Sequence, residues 1–104
     1  MPPSCAMTKR SEIADALRHL APRLPPHEVE AIIDHALDSS GLRIASPENA
    51  AWLSLVAYAR HRFTDYDALL EESYDRESAR FFVANELAAV LREWGVRRPL
   101  TRED

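Results

Sequence analysis

Glycine is nearly absent from this chain: only Gly41 and Gly95 occur in 104 residues. A sheet domain of this length needs many tight turns, and such turns favour glycine or Asn-Gly pairs. Cysteine is rarer still. A lone Cys5 excludes an intrachain disulfide framework and a zinc site built from several cysteines. It agrees with a reducing compartment. No apolar run approaches the roughly 18 residues of a membrane-spanning helix. The N-terminal MPPSCAMTKRSE lacks the apolar core of a signal peptide. A cytoplasmic protein with no membrane contact is expected. There is no glycine-rich phosphate loop and no H-E-x-x-H pattern, and His19, His27, His35 and His61 are scattered. No metal or cofactor is expected from these residues.

What the chain does have is helical periodicity. Its length suits one domain with one core, and no segment alternates with period two over strand length. Residues 1–8 carry no pattern and are expected to be a disordered leader; residues 9–96 form the helical domain; residues 97–104 are expected to be a flexible, charged tail. The spacing predicts an all-α bundle of about five helices. The first runs from Ser11 to Ala21, with Thr8 or Ser11 as cap, an apolar face of Ile13, Ala16, Leu17 and Leu20, and Pro22 beyond it. The second starts at Pro26 and buries Val29, Ile32, Ile33, Ala36 and Leu37, with Gly41 as a left-handed stop. Leu42 to Ala45 is expected to be a linker whose Leu42 and Ile44 tuck into the core. Ser46-Pro47-Glu48 is a strong start signal for a third helix reaching Phe63. That helix is apolar through most of its circumference, which marks it as the central one. Thr64 or Asp65 can cap a short fourth helix to about Glu72, with Tyr66, Leu69 and Leu70 inward. Asp75 caps the fifth, whose stripe includes Ala79, Phe82, Val83, Leu87, Leu91 and Trp94 before Gly95.

Charge is uneven. Residues 1–24 are net +2, residues 25–91 net −7 and residues 92–104 net +1, within a total of −4. This balance argues against a general nucleic-acid binder, which usually carries a basic domain, but leaves room for a local basic patch made by the two ends.

The densest polar cluster lies where the third helix meets the fourth: Arg60, His61, Arg62, Thr64, Asp65, Tyr66 and Asp67. Residues four apart on a helix are neighbours, so His61 faces Asp65 and Arg60 faces Thr64. Arg76 and Arg80, from DRESAR, can return to this corner. Three readings stand. In the structural one, Thr64 and Asp65 cap the helix, Arg60 and Arg80 pair with Asp67 and Asp65, and His61 and Tyr66 are bonded within the corner. In the second, the arginines grip a carboxylate or phosphate and Tyr66 offers a stacking face. In the third, His61 with Asp65 or Asp67 is an acid/base pair, though no serine or cysteine nucleophile stands beside it in sequence.

The run L-x-x-V-A-Y-A-R-H-R-F-T-D-Y-D-A-L-L, followed by D-R-E-S-A-R and V-L-R-E-W-G, resembles the bacterial and fungal family catalogued as Domain of Unknown Function 2293. The resemblance covers about residues 17–95. It implies a self-contained helical domain and draws attention to Arg60, His61, Thr64, Tyr66, Asp67, Arg76 and Arg80, but supplies no reaction, substrate or cofactor. The leading expectation is therefore a non-enzymatic interaction module that binds a protein or nucleic-acid partner through the Arg60–Asp67 corner. An enzyme using His61 and a purely structural motif are the alternatives. A homo-oligomer is compatible with each.

Overall fold

Four of the helix starts in this protein are dictated locally, by the side chains of Thr8, Ser39, Ser46 and Asp75, which satisfy free N–H groups of the first turn. The computed structural model describes residues 8–101, without the side chain of Arg43. The expectations for Cys5, for the leader up to residue 7 and for residues 102–104 lie outside the described residues. Among the described residues there are six helices and no strand: α1 (Lys9–Leu20), α2 (Pro26–Asp38), α3 (Ser40–Ile44), α4 (Pro47–Phe63), α5 (Tyr66–Glu71) and α6 (Arg76–Glu93). Thr8 and Ser11 cap α1 reciprocally: Thr8 Oγ1 accepts from the Ser11 amide at 3.1 Å, and Ser11 Oγ accepts from the Thr8 amide at 3.0 Å. The helix therefore begins at Lys9, two residues before the expected Ser11. Pro26 opens α2. Ser46 caps α4 through the Asn49 amide at 3.2 Å, with Pro47 in the first turn. Asp75 caps α6 through the Ser78 amide at 2.7 Å. Hydrogen bonding by Ser78, from its backbone amide first and its hydroxyl second, holds the Asp75 carboxyl below its ordinary range.

The all-α bundle is as expected, with one helix more than five. The sixth is α3, which occupies the expected linker. Ser39 ends α2 and caps α3 by accepting from the Leu42 amide, so Gly41 lies inside a helix and has no left-handed backbone. Ile44 does not tuck inward; it is 89% exposed, whereas Leu42 packs half-buried against the core. A short helix turns only part of its circumference inward, and Ile44 falls on the remainder.

Helix α4 touches each of the other five, which makes it the centre of the fold. Trp52, Leu55, Val56 and Ala59 are buried along it, beside Ile13 and Leu17 of α1, and Ile32 and Ile33 of α2. Each such large side chain contributes roughly 1.5–3 kcal/mol by leaving water. Buried Ser54 is satisfied by donating to the Ala50 carbonyl one turn back at 2.6 Å. Leu53 and Phe63, part of the broad apolar surface of this helix, are exposed; Phe63 stands edge-on to Tyr58 and Trp94. The apolar residues form two clusters. The larger joins α1, α2, α4, the C-terminal half of α6 and Val96; the smaller consists of Tyr66, Ala79 and Val83, with Leu69 and Leu70 beside it.

The end of α6 is locked to the loop between α1 and α2. Gly95 has φ +87°, and a Cβ there would sit 3.0 Å from Pro22 Cγ, so both the backbone and the space require glycine. The Arg23 amide donates to the Trp94 carbonyl at 2.9 Å. Its guanidinium donates to the Glu93 and Arg92 carbonyls at 3.1 and 2.8 Å. A cation is thus placed at the negative end of α6, where the last carbonyls lack helical partners.

Candidate functional site

The corner between α4 and α5 is built around the ring of Tyr66. Thr64 Oγ1 donates to the Arg60 carbonyl and accepts from the Tyr66 amide at 3.3 Å, so Thr64 closes α4 and opens α5 at once. Asp65 occupies the cap position of α5 without a side-chain cap bond. The Tyr66 ring is buried, with the Arg60 guanidinium 5.6 Å from its centroid and the His61 ring edge-on at 5.2 Å. Arg60 is only 6% exposed, and its guanidinium over an aromatic face is a cation–π contact in a desolvated place. His61 and Asp67 are both solvent-exposed and meet at 2.6 Å; the carboxylate can only accept, so His61 Nδ1 donates. The partner of His61 is thus Asp67 from α5, not Asp65: the chain leaves the helical path at Thr64, so the four-residue rule stops applying there. Asp67 takes His61 rather than Arg60 as its partner.

The sequence-predicted residues separate into two surfaces. His61 lines a shallow cleft with His35, Ala57, Tyr58 and Arg62. No serine or cysteine lies in that cleft, and the Tyr58 hydroxyl is committed to the buried Glu28 carboxylate at 2.8 Å. Burial first, and then the Glu28 hydrogen bond and charge, push the Tyr58 phenol above its ordinary range, which keeps it a donor. Among the described residues, no group of three or more His, Cys, Asp or Glu side chains is placed to hold a metal. No helix among them is long and apolar enough to cross a membrane.

Arg60, Arg76 and Arg80 converge on the other surface, a groove of about 890 Å³ along α6. Phe81 and Phe82 border it at 77% and 56% exposure, and Leu87 and Leu100 add apolar lining. Arg76 and Arg80 make no ion pair among the described residues. A second groove, of about 1020 Å³, continues along the C-terminal half of α6 and shares Leu100 with the first. Its cations are Arg23, Arg92, Arg97 and Arg98. Together the two grooves hold seven of the chain's thirteen Lys and Arg residues and two of its seventeen acids, Glu77 and Glu93. They are net +5 in a chain of net −4, so the remainder is net −9. Two of these cations are already engaged: Arg23 on the α6 carbonyls, and Arg98 4.3 Å from the centroid of Trp52. The α2 side is the acidic counterpart. There Arg10 bridges Glu30 and Asp34, each at 2.9 Å, and those two contacts raise its pKa.

Sequence reasoning did not assign Arg23, Arg92, Arg97, Phe81 or Leu100 to any surface. The available signal was the positive sign of both chain ends, of which the α6 clamp brings Arg23 onto the face of Arg92 and Arg97.

A small all-helical domain, with an arginine-rich groove on its last helix, is the class that this geometry defines. The chain belongs to the family described as "Uncharacterized conserved protein (DUF2293)", which it matches over residues 16–95. No curated protein and no solved structure matches it.

Proposed function

We propose that this domain is a non-enzymatic interaction module that holds a polyanionic partner along α6. The observation that carries the reading is the gathering of seven arginines into one pair of grooves on an otherwise acidic chain. Like charges repel, and a fold that needs them only for solubility spreads them out. Arginine presents planar, bidentate donors suited to phosphate and carboxylate. Of the corner residues, Arg60 belongs to this surface together with Arg76 and Arg80. Thr64 and Tyr66 support it from behind, and His61 and Asp67 brace the corner outside the groove.

The test is retention on immobilised heparin at neutral pH. The wild-type protein should bind at low ionic strength and elute as salt rises, against the sign of its net charge. The double substitution Arg76→Glu, Arg80→Glu should flow through, while His61→Ala and Asp67→Ala should elute with the wild type. Flow-through of the wild type at low salt would sink the proposal.

The enzyme reading has one observation in its favour, the 2.6 Å contact between His61 and Asp67. That pair sits in the open, beside a cleft that offers neither a nucleophile nor converging donors for a developing charge. The contact is accounted for by its place between α4 and α5.

A further inference from the structure

The α6 grooves combine two features that a polyanion site alone does not need: cations at both ends of the helix and exposed aromatic rings between them. We infer that the partner is single-stranded nucleic acid, seated with its phosphates on the arginines and its bases against Phe81 and Phe82. The inference rests on the proposed role of α6 as a polyanion-binding surface and names the polyanion.

Four exposed arginines, Arg76, Arg80, Arg92 and Arg97, run from the first turn of α6 to just past its end. Eighteen helical residues span roughly 27 Å. Two pairs of charge separated by that length suit an extended polyanion that carries charge at intervals, as a phosphodiester chain does. Phe81 and Phe82 stand edge-to-face at 5.8 Å, and Tyr74 stands edge-on to Phe82 at 5.5 Å. Phe81 is not held by the core; it is the most exposed aromatic side chain named on the described surface. Groove cations together with solvent-facing aromatic rings are the two elements of single-strand binding, the rings providing stacking that tolerates any base.

A duplex fits less well. Its bases are already stacked, which leaves the phenyl rings without a partner. A peptide of acidic residues alone could satisfy the arginines, but it has no flat ring system to cover two adjacent phenyl groups.

Fluorescence anisotropy with a labelled 12-nucleotide single strand, the same strand annealed to its complement, and polyglutamate as competitor tests the inference. The single strand should bind at least tenfold more tightly than the duplex. Its log Kd should change with log salt at a slope of about 3, for four phosphates at about 0.7 each. Phe81→Ala should weaken single-strand binding about fivefold or more, as expected for the loss of a stacked base, and leave heparin retention unchanged. Arg76→Glu with Arg80→Glu should abolish both. Equal binding of duplex, an unaltered Kd for Phe81→Ala, or displacement by polyglutamate at matched charge would each overturn the single-strand assignment while heparin retention upholds the polyanion surface. Loss of heparin retention by the wild type would remove both.

Discussion

The two apolar clusters are unequal, and α6 runs from one to the other. Its C-terminal half, through Leu87 and Leu91, belongs to the cluster of nineteen buried residues; its N-terminal half, through Ala79 and Val83, belongs to a cluster of three. At the larger cluster the helices cover each other's apolar faces. At the smaller one, Phe81, Phe82 and Tyr74 are left outside. Local stability scales with buried apolar contact, and recognition surfaces are drawn from the less buried parts of a fold. The chain thus spends most of its apolar burial on one end and keeps an arginine- and phenylalanine-bearing helix available at the other.

The largest expected effect sharpens this contrast. Ile33→Ala, in the large cluster, should cost about 2–5 kcal/mol. Val83→Ala, in the small one, removes two methyl groups and should cost about 1.5 kcal/mol. At roughly 4–8 °C per kcal/mol for a domain of this size, thermal unfolding monitored by circular dichroism separates the two. Equal losses would mean that the clusters are one cooperative core. The next effect concerns the corner between them. Arg60→Ala removes a buried guanidinium from the Tyr66 ring and should cost about 1–2 kcal/mol. His61→Ala breaks an exposed ion pair and should stay within about 0.5 kcal/mol. A larger loss for His61→Ala than for Arg60→Ala would reverse the roles assigned to them here.

The smallest effect is a pH dependence at the first turn of α6. The Asp75 carboxyl titrates lower in the folded protein than in the unfolded chain, because Ser78 donates to its charged form. Its contribution is therefore fully present above the ordinary carboxylate value of 3.8 and is lost as pH falls below it. Asp75→Asn keeps a capping oxygen without a charge. The variant should match the wild type at pH 7 to within a few degrees and show a shallower loss of stability below pH 4. An identical acid limb in both proteins would assign that limb to other carboxylates.

Much of this architecture is written locally. Pro26, Ser46-Pro47 and Asp75 announce their helices because capping depends on residues within one turn. The central place of α4 follows from its near-continuous apolar surface. What escaped sequence reading depends on the path of the chain between elements. A helical α3 in place of a linker, Ile44 turned outward and His61 paired across the turn with Asp67 are all set by where one helix leaves and the next begins. Phe82 fits the inward stripe of α6 by spacing, yet it stays 56% exposed, touched edge-on by the rings of Tyr74 and Phe81. The meeting of Arg60, Arg76 and Arg80 was partly legible from the corner motif. The addition of Arg23 to Arg92 and Arg97 was not, because it requires the loop between α1 and α2 to meet the end of α6.

That closure has a kinetic side. The bond from Arg23 to the Glu93 carbonyl joins residues 70 apart in sequence. A contact of that span must pay its loop entropy before it gains anything, so it forms late in folding, after the local helices and the α1–α4 packing. During synthesis the clamp cannot form until residue 93 and its neighbours have left the ribosome. A nascent chain would therefore own its central helix well before it owned the finished C-terminal wall of the groove, and the proposed binding surface would be complete only after that wall has formed.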